Sequence, residues 1–189
     1  MDDLIRYSES LMQEESEKEL IAKAKENPRW FEPLYDKYYK QIFLFLYKRH
    51  LNKELTAEVC STVFYKALTK INSYQDRGLP FSSWLYKIAL NESNYFFRRK
   101  SAERTILLTE ESISSVSNEL PTTEENDNLP LLKAALTQLK PKELNLIELR
   151  FFNGFSFKEI GEILSITENN AKVRCYRILD KMRIKMDVK

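Results

Sequence analysis

Phe157-Lys-Glu-Ile-Gly-Glu-Ile-Leu164, then Ser165-Ile-Thr167, then Glu168-Asn-Asn-Ala-Lys-Val-Arg-Cys-Tyr-Arg177 is the stretch whose reading decides the fold. In its first part Phe157, Ile160, Ile163 and Leu164 recur at helical spacing and face one way. Three residues that suit a turn follow. Thr167 can then cap a second helix, and Glu168 in its first turn suits the positive end of the dipole. At 100° per residue Ala171, Cys175, Ile178, Leu179 and Met182 of that helix share one face, which must be buried. Asn169, Asn170, Val173, Tyr176 and Arg177 fall opposite, flanked by Lys172 and Arg174. Gly161 stands where the two helices must approach closely. The pattern is a helix-turn-helix, whose second helix enters the major groove of DNA.

The outward set suits that task. Arg pairs with guanine edges, Asn with adenine edges, and an outward Val meets a thymine methyl. An ordinary solvated helix face would carry the same charges, but Val173 among Asn, Lys and Arg is not typical of one.

Working outward, the rest of the chain also reads as helical. It has only three glycines, and few segments alternate with a period of two. Apolar-periodic segments span 18–26 and 29–50, interrupted at Asn27-Pro28, with a bend expected at Pro33. Leu34, Tyr38, Ile42, Phe45 and Leu46 form the apolar face of the second. Asn52 or Thr56 caps the next helix, whose face is Leu55, Val59, Val63, Ala67, Leu68 and Ile71, ending near Asn72-Ser73. After the loop 74–80, Ser82 or Ser83 is the expected cap of a helix running to about Arg104. Residues 107–128 are rich in Ser, Thr and Glu, contain Pro121 and show no apolar face, so a flexible linker is expected. Helices at about 129–138 and 141–153 precede the helix-turn-helix. The expected fold is all-α: an acidic extension 1–17, a helical domain 18–104, a linker 105–128 and a second helical domain 129–187.

Charge follows the same divisions. The formal net charge is only +2, yet residues 1–17 carry −5, 18–106 carry +8, 107–128 carry −6 and 129–189 carry +5. Two basic blocks suit a phosphate backbone. Of the two cysteines, Cys60 and Cys175, each falls within an apolar pattern and reads as a reduced core residue. The acidic start Met1-Asp-Asp-Leu-Ile is unlike a signal peptide, and no apolar run approaches the roughly 18 residues of a membrane span. A cytoplasmic protein without membrane insertion is expected. Catalysis needs converging acid, base or metal groups. His50, the one histidine, reads as lying on a solvated helix end; no Cys/His spacing suits zinc, and no Gly-rich loop suits a phosphate. Neither enzyme activity, metal nor cofactor is expected.

Helix 84–100 carries a second signal. Leu85, Ile88, Ala89 and Phe96 form its apolar face, while Lys87, Asn91, Asn94 and Arg98 recur on the opposite one and run into Arg99-Lys100. Tyr74, Phe81, Trp84, Tyr86, Tyr95 and Phe97 lie close by. Basic groups with neighbouring aromatics suit unpaired bases, which need stacking surfaces. Phe64-Tyr-Lys-Ala-Leu68, Phe81-Ser-Ser-Trp-Leu-Tyr-Lys-Ile-Ala-Leu-Asn91 and Arg98-Arg-Lys100 together resemble region 2 of an extracytoplasmic-function (group 4) sigma factor. Leu139-Lys-Pro-Lys-Glu143 and Leu149 through Leu164 with the helix beyond resemble region 4 of the same family.

The resemblance implies an initiation factor that binds core RNA polymerase and promoter DNA. It places the duplex −35 element at Asn169, Asn170, Lys172, Val173, Arg174, Tyr176 and Arg177. It places the unpaired −10 element at Tyr74, Trp84, Lys87, Asn91, Asn94, Arg98, Arg99 and Lys100. It implies polymerase contacts at Glu58, Ser61, Thr62, Phe64 and Tyr65, and an anti-sigma factor as a further partner. Asn169-Asn170 stand where the family usually has Gly-Thr. The alternative is a helix-turn-helix regulator that is no polymerase subunit; it accounts for the C-terminal domain but leaves the polar stripe and aromatic loop of the first one unexplained.

Overall fold

A computed structural model describes residues 16–100, Val116 and 129–187. The chain divides into two compact units, Met1–Arg104 and Thr105–Lys189. Among the described residues the regular structure is helical throughout, with no strand.

In the first unit α1 (Glu17–Glu26) opens on a capping box, in which Ser16 and Glu19 satisfy each other's backbone N–H groups. Asn27 then starts a 3₁₀ turn, Pro28–Phe31, that leads into α2 (Glu32–His50). Pro33 stands in the first turn of α2, just after the change from 3₁₀ turn to α-helix, where its missing N–H costs nothing. Leu51, at φ 51°, ends the helix in the left-handed conformation. Asn52 caps α3 (Lys53–Lys70) by accepting the Leu55 N–H at 2.8 Å. Thr56, the other candidate cap, is buried and donates its hydroxyl to the Asn52 carbonyl.

A 3₁₀ turn, Ile71–Ser73, and the loop 74–80 precede α4 (Phe81–Lys100). This helix begins at Phe81, so Ser82 and Ser83 lie within its first turn rather than at the cap, and Ser83 is buried. The core gathers Leu34, Ile42, Leu46 of α2, Val63 and Ala67 of α3, and Phe81, Leu85 and Ala89 of α4, all below a few per cent exposure. Each Val, Leu, Ile or Phe side chain so buried contributes on the order of 1.5–3 kcal/mol. His50 is half-buried instead of solvated, its ring stacked 4.8 Å from Phe97 and edge-on to Phe96.

In the second unit α5 (Leu129–Thr137) and α6 (Pro141–Ile147) come first; α6 runs on through a π-helical turn, Glu148–Phe152. α7 (Phe157–Leu164) and α8 (Glu168–Asp187) complete the unit. Lys181 of α8 clamps Glu143 of α6 through both carboxylate oxygens at 2.9 Å, and Lys185 reaches Gln138 at 2.6 Å. The expected linker 105–128 lies outside the described residues apart from Val116, which is buried. The extension 1–17 also lies outside them up to residue 15, but Glu17 belongs to α1 and to the packed unit.

Candidate nucleic-acid interface

α7, the turn and α8 are built as their sequence dictates. Ser156 caps α7 in a second capping box with Glu159. Ser165 takes the left-handed conformation, φ 57° and ψ 46°, and lets the chain reverse. The Ile166 N–H then donates to the Gly161 carbonyl at 2.9 Å, and the Asn170 N–H donates to the Thr167 hydroxyl at 3.2 Å. A Cβ on Gly161 would stand 2.8 Å from the Ile166 carbonyl oxygen, so the close approach expected of this glycine is real. Ala171, Cys175, Ile178, Leu179 and Met182 are all buried. Asn169, Lys172, Val173, Arg174, Tyr176 and Arg177 are exposed and Asn170 is half-exposed. Val173 keeps 39% and Tyr176 47% of its surface, an apolar seam between cations. Tyr176 also meets Phe157 of α7, ring centres 6.3 Å apart, and Arg150 lies 4.7 Å over that Phe157 ring.

Helix α4 presents a more mixed face. Asn91, Arg98 and Arg99 are exposed, and Lys87 and Trp84 are half-buried. The side chain of Lys100 lies outside the described residues. Asn94 departs from the expected stripe: it is half-buried, and its amide oxygen accepts from Arg49 Nη2 at 3.0 Å. Arg49 is itself buried, at 1% exposure, donates through Nε to Ser93 at 2.9 Å, and lies 5.4 Å over the Phe45 ring. That bond fixes the amide, leaving the Asn94 nitrogen as its donor end. Tyr74 is also corrected. Only 8% exposed, it packs edge-on against Phe81 and Trp84, at 5.0 and 5.4 Å, and so supports the loop from inside.

The loop 74–80 is held by α1. Asp76 accepts the Gly78 N–H at 2.8 Å, closing a tight turn in which Gly78 has φ +67°. Lys18 Nζ pairs with the other Asp76 oxygen at 2.9 Å, and that bond, with the Gly78 N–H, holds the Asp76 carboxyl below its usual range. Lys25 Nζ donates to the Tyr74 carbonyl at 2.8 Å. Glu17 Oε2 accepts the Phe81 N–H at 3.3 Å, while its Oε1 takes Lys37 Nζ at 2.8 Å and the Tyr38 hydroxyl. Burial alone would raise the Glu17 pKa, but these three donors outweigh it and hold the carboxyl below the ordinary 4.5. Sequence reading passed over Glu17 and Arg49. A cation at the register of Ile42, Phe45 and Leu46 was the available signal for Arg49; for Glu17 it was Pro80, which offers α4 no side-chain cap.

Of the expected polymerase contacts, Glu58, Ser61 and Tyr65 are exposed, Tyr65 at 67%, and Thr62 is half-exposed. Phe64 is the correction: 4% exposed, it lies beneath Tyr35 and Tyr39, ring centres 4.8 and 6.1 Å away. Glu58 and Thr62 share a groove of about 470 Å³ with Tyr95 and Arg99 of α4, bridged by the Lys66–Glu92 ion pair at 2.6 Å. Among the described residues no group of acids, histidines and cysteines is placed to hold a metal. No helix there is long and apolar enough to cross a membrane. Cys60 and Cys175 are buried thiols outside any disulfide, and burial pushes the Cys60 thiol up to about 12.

Residues 34–103 match the family described as Sigma-70 region 2, and residues 130–182 match Sigma-70, region 4. Together they take in well over half of the chain. The ECF RNA polymerase sigma factor BldN of Streptomyces coelicolor is 28% identical over 152 residues, covering 78% of this chain. The chain spans only 56% of that relative's length. The ECF RNA polymerase sigma factor SigX of Bacillus subtilis is 25% identical over 164 residues, 84% of either chain. Among solved structures, CnrH in complex with the cytosolic domain of CnrY has a TM-score of 0.57 at 19% identity, covering 90% of this chain and 96% of that one. The sigma factor RpoE in complex with the anti-sigma factor NepR, from Bartonella quintana, has a TM-score of 0.55 at 17% identity, covering 84% and 98%. At those identities the likeness is one of fold, and it agrees with what the two matched regions and the curated relatives state directly: this chain belongs to the extracytoplasmic-function RNA polymerase sigma factors.

Proposed function

We propose that the protein directs core RNA polymerase to promoters through two grips of different kind. α8 holds the −35 element as duplex, with Asn169, Asn170, Lys172, Val173, Arg174, Tyr176 and Arg177 in the major groove. The loop 74–80 with Trp84, Lys87, Asn91, Arg98 and Arg99 captures the unpaired −10 strand, and the free amide nitrogen of Asn94 joins them. The exposed seam of Val173 and Tyr176 between cations on α8 carries this reading, because a solvated face has no use for it. Unpairing the −10 element costs free energy, which stacking and polar contacts to the captured strand offset. The work is binding and no bond is made or broken by the chain, so the protein is a specificity subunit rather than an enzyme.

Glu58, Ser61, Thr62 and Tyr65 on the outer face of α3 supply the polymerase contact, with Phe64 fixing their backbone from below. The setting is the cytoplasm, with an anti-sigma factor as the controlling partner. The test is transcription in vitro. Core polymerase plus this chain should initiate from a discrete set of sites in a genomic DNA library, and core alone should not. Failure of the purified chain to bind core while still binding DNA would favour the regulator reading instead.

A further inference from the structure

We propose that α1 is a clasp that sets the −10 capture loop before DNA arrives, with Glu17 and Lys25 as positioning residues. The proposal rests on the reading of residues 74–80 as the capture loop. A helix begins with N–H groups that its own backbone cannot satisfy, and a nearby carboxylate satisfies and stabilises them. At the start of α4 the residue before Phe81 is Pro80, whose side chain accepts nothing. The cap comes instead from 64 residues upstream, where Glu17 accepts the Phe81 N–H. The other oxygen of Glu17 is anchored by Lys37 and Tyr38 of α2, so the cap is braced against the body of the unit. Lys25, two turns further along α1, fixes the opposite end of the loop through the Tyr74 carbonyl. Lys18 touches its middle at Asp76, an exposed pair whose own contribution is small. Both ends of a seven-residue loop are thus held by one helix, which bears none of the residues assigned to DNA.

A loop that samples many shapes binds a strand with its affinity divided by the fraction of time it is competent. The clasp raises that fraction, so breaking it weakens capture without removing any contact to DNA. The charges make the claim testable. Glu17→Gln removes a negative charge, which by electrostatics alone strengthens binding to a polyanion. It also leaves one acceptor oxygen where two are used, so an amide N–H₂ faces either the Phe81 N–H or the donors of α2. Lys25→Met removes a cation, which as a phosphate contact would lower the slope of log affinity against log salt by about one.

The experiment measures binding of holoenzyme, reconstituted with core polymerase, to forked DNA whose non-template −10 strand is single, across a salt series. Wild-type holoenzyme that ignores the single strand overturns the reading of the loop itself. With wild type binding, the expected result is a loss of roughly tenfold for each variant, the scale of a competent population falling to about a tenth. The Lys25→Met salt slope stays unchanged, binding to duplex −35 DNA stays unchanged, and the Phe81 amide of the full chain exchanges faster in Glu17→Gln. Equal or tighter capture by Glu17→Gln, or a slope reduced by one in Lys25→Met, overturns the clasp. A melting curve of each variant separates lost fold from lost positioning, and Lys25→Arg, which can still donate to Tyr74, restores capture.

Discussion

Arg177 presents a planar fork of donors from the exposed face of α8, clear of the packing that buries Ile178 and Leu179 beside it. Replacing it with Ala lowers affinity for the matched −35 duplex by about 1–3 kcal/mol and spares scrambled duplex, if it reads a base edge. Fluorescence titration of both duplexes at one salt concentration checks this; equal losses assign Arg177 to phosphate. Neighbouring side chains show how far residue type carries a reading. On α8 every outward candidate was legible, because Ala171, Cys175 and Met182 leave no doubt about the inner face. On α3 the adjacent aromatics Phe64 and Tyr65 are alike in sequence, yet one is 4% exposed and the other 67%. Only the covering rings of Tyr35 and Tyr39, on another helix, decide between them. The burial of Tyr74 and half-burial of Asn94 were hidden in the sequence for the same reason: what covers them, Phe81 and Trp84 in one case and Arg49 in the other, is a tertiary fact.

Between elements, the turn joining α7 and α8 has little freedom. Gly161→Ala sets a methyl 2.8 Å from the Ile166 carbonyl, a backbone atom that cannot swing aside. The second unit should lose about 1–3 kcal/mol, the usual range for overpacking, seen as a lower melting temperature and weaker −35 binding on warming. Ser165→Gly acts oppositely in the same turn, since φ 57° costs a side chain strain that glycine does not feel. Helix positions were legible because each has its own apolar period and, for α1, α3 and α7, its own cap in Ser16, Asn52 and Ser156. The start of α4 was misplaced at Ser82 or Ser83 because its cap is Glu17, which no local pattern announces. That contact also gives a pH dependence of known sign. The folded carboxyl titrates below the ordinary 4.5, so its stabilisation is complete above that value and is lost as pH falls through the folded pKa. Acid unfolding of the wild type followed by circular dichroism should therefore steepen below pH 4.5, and Glu17→Gln should flatten that part of the curve.

For the molecule as a whole, charge is partitioned more sharply than its net +2 suggests. Residues 107–128 carry six acids and no base, between a block of +8 and a block of +5. Tethered to both basic units, those acids are present at high effective concentration whatever path the chain takes. Acids that compete with phosphates for the exposed Lys and Arg would do so less as salt rises, as all exposed pairs do. On that competition the free protein should be a poor non-specific DNA binder. Replacing Glu110, Glu111, Glu119, Glu124, Glu125 and Asp127 with Ser or Asn should raise the affinity of the free chain for random duplex. The gain should be largest at low salt and shrink towards nothing as the Debye length falls to about 3 Å near 1 M. Affinity measured across that series decides it: the same curve for both proteins would show that the acids leave the basic faces untouched, and a gain constant across salt would trace to something other than charge.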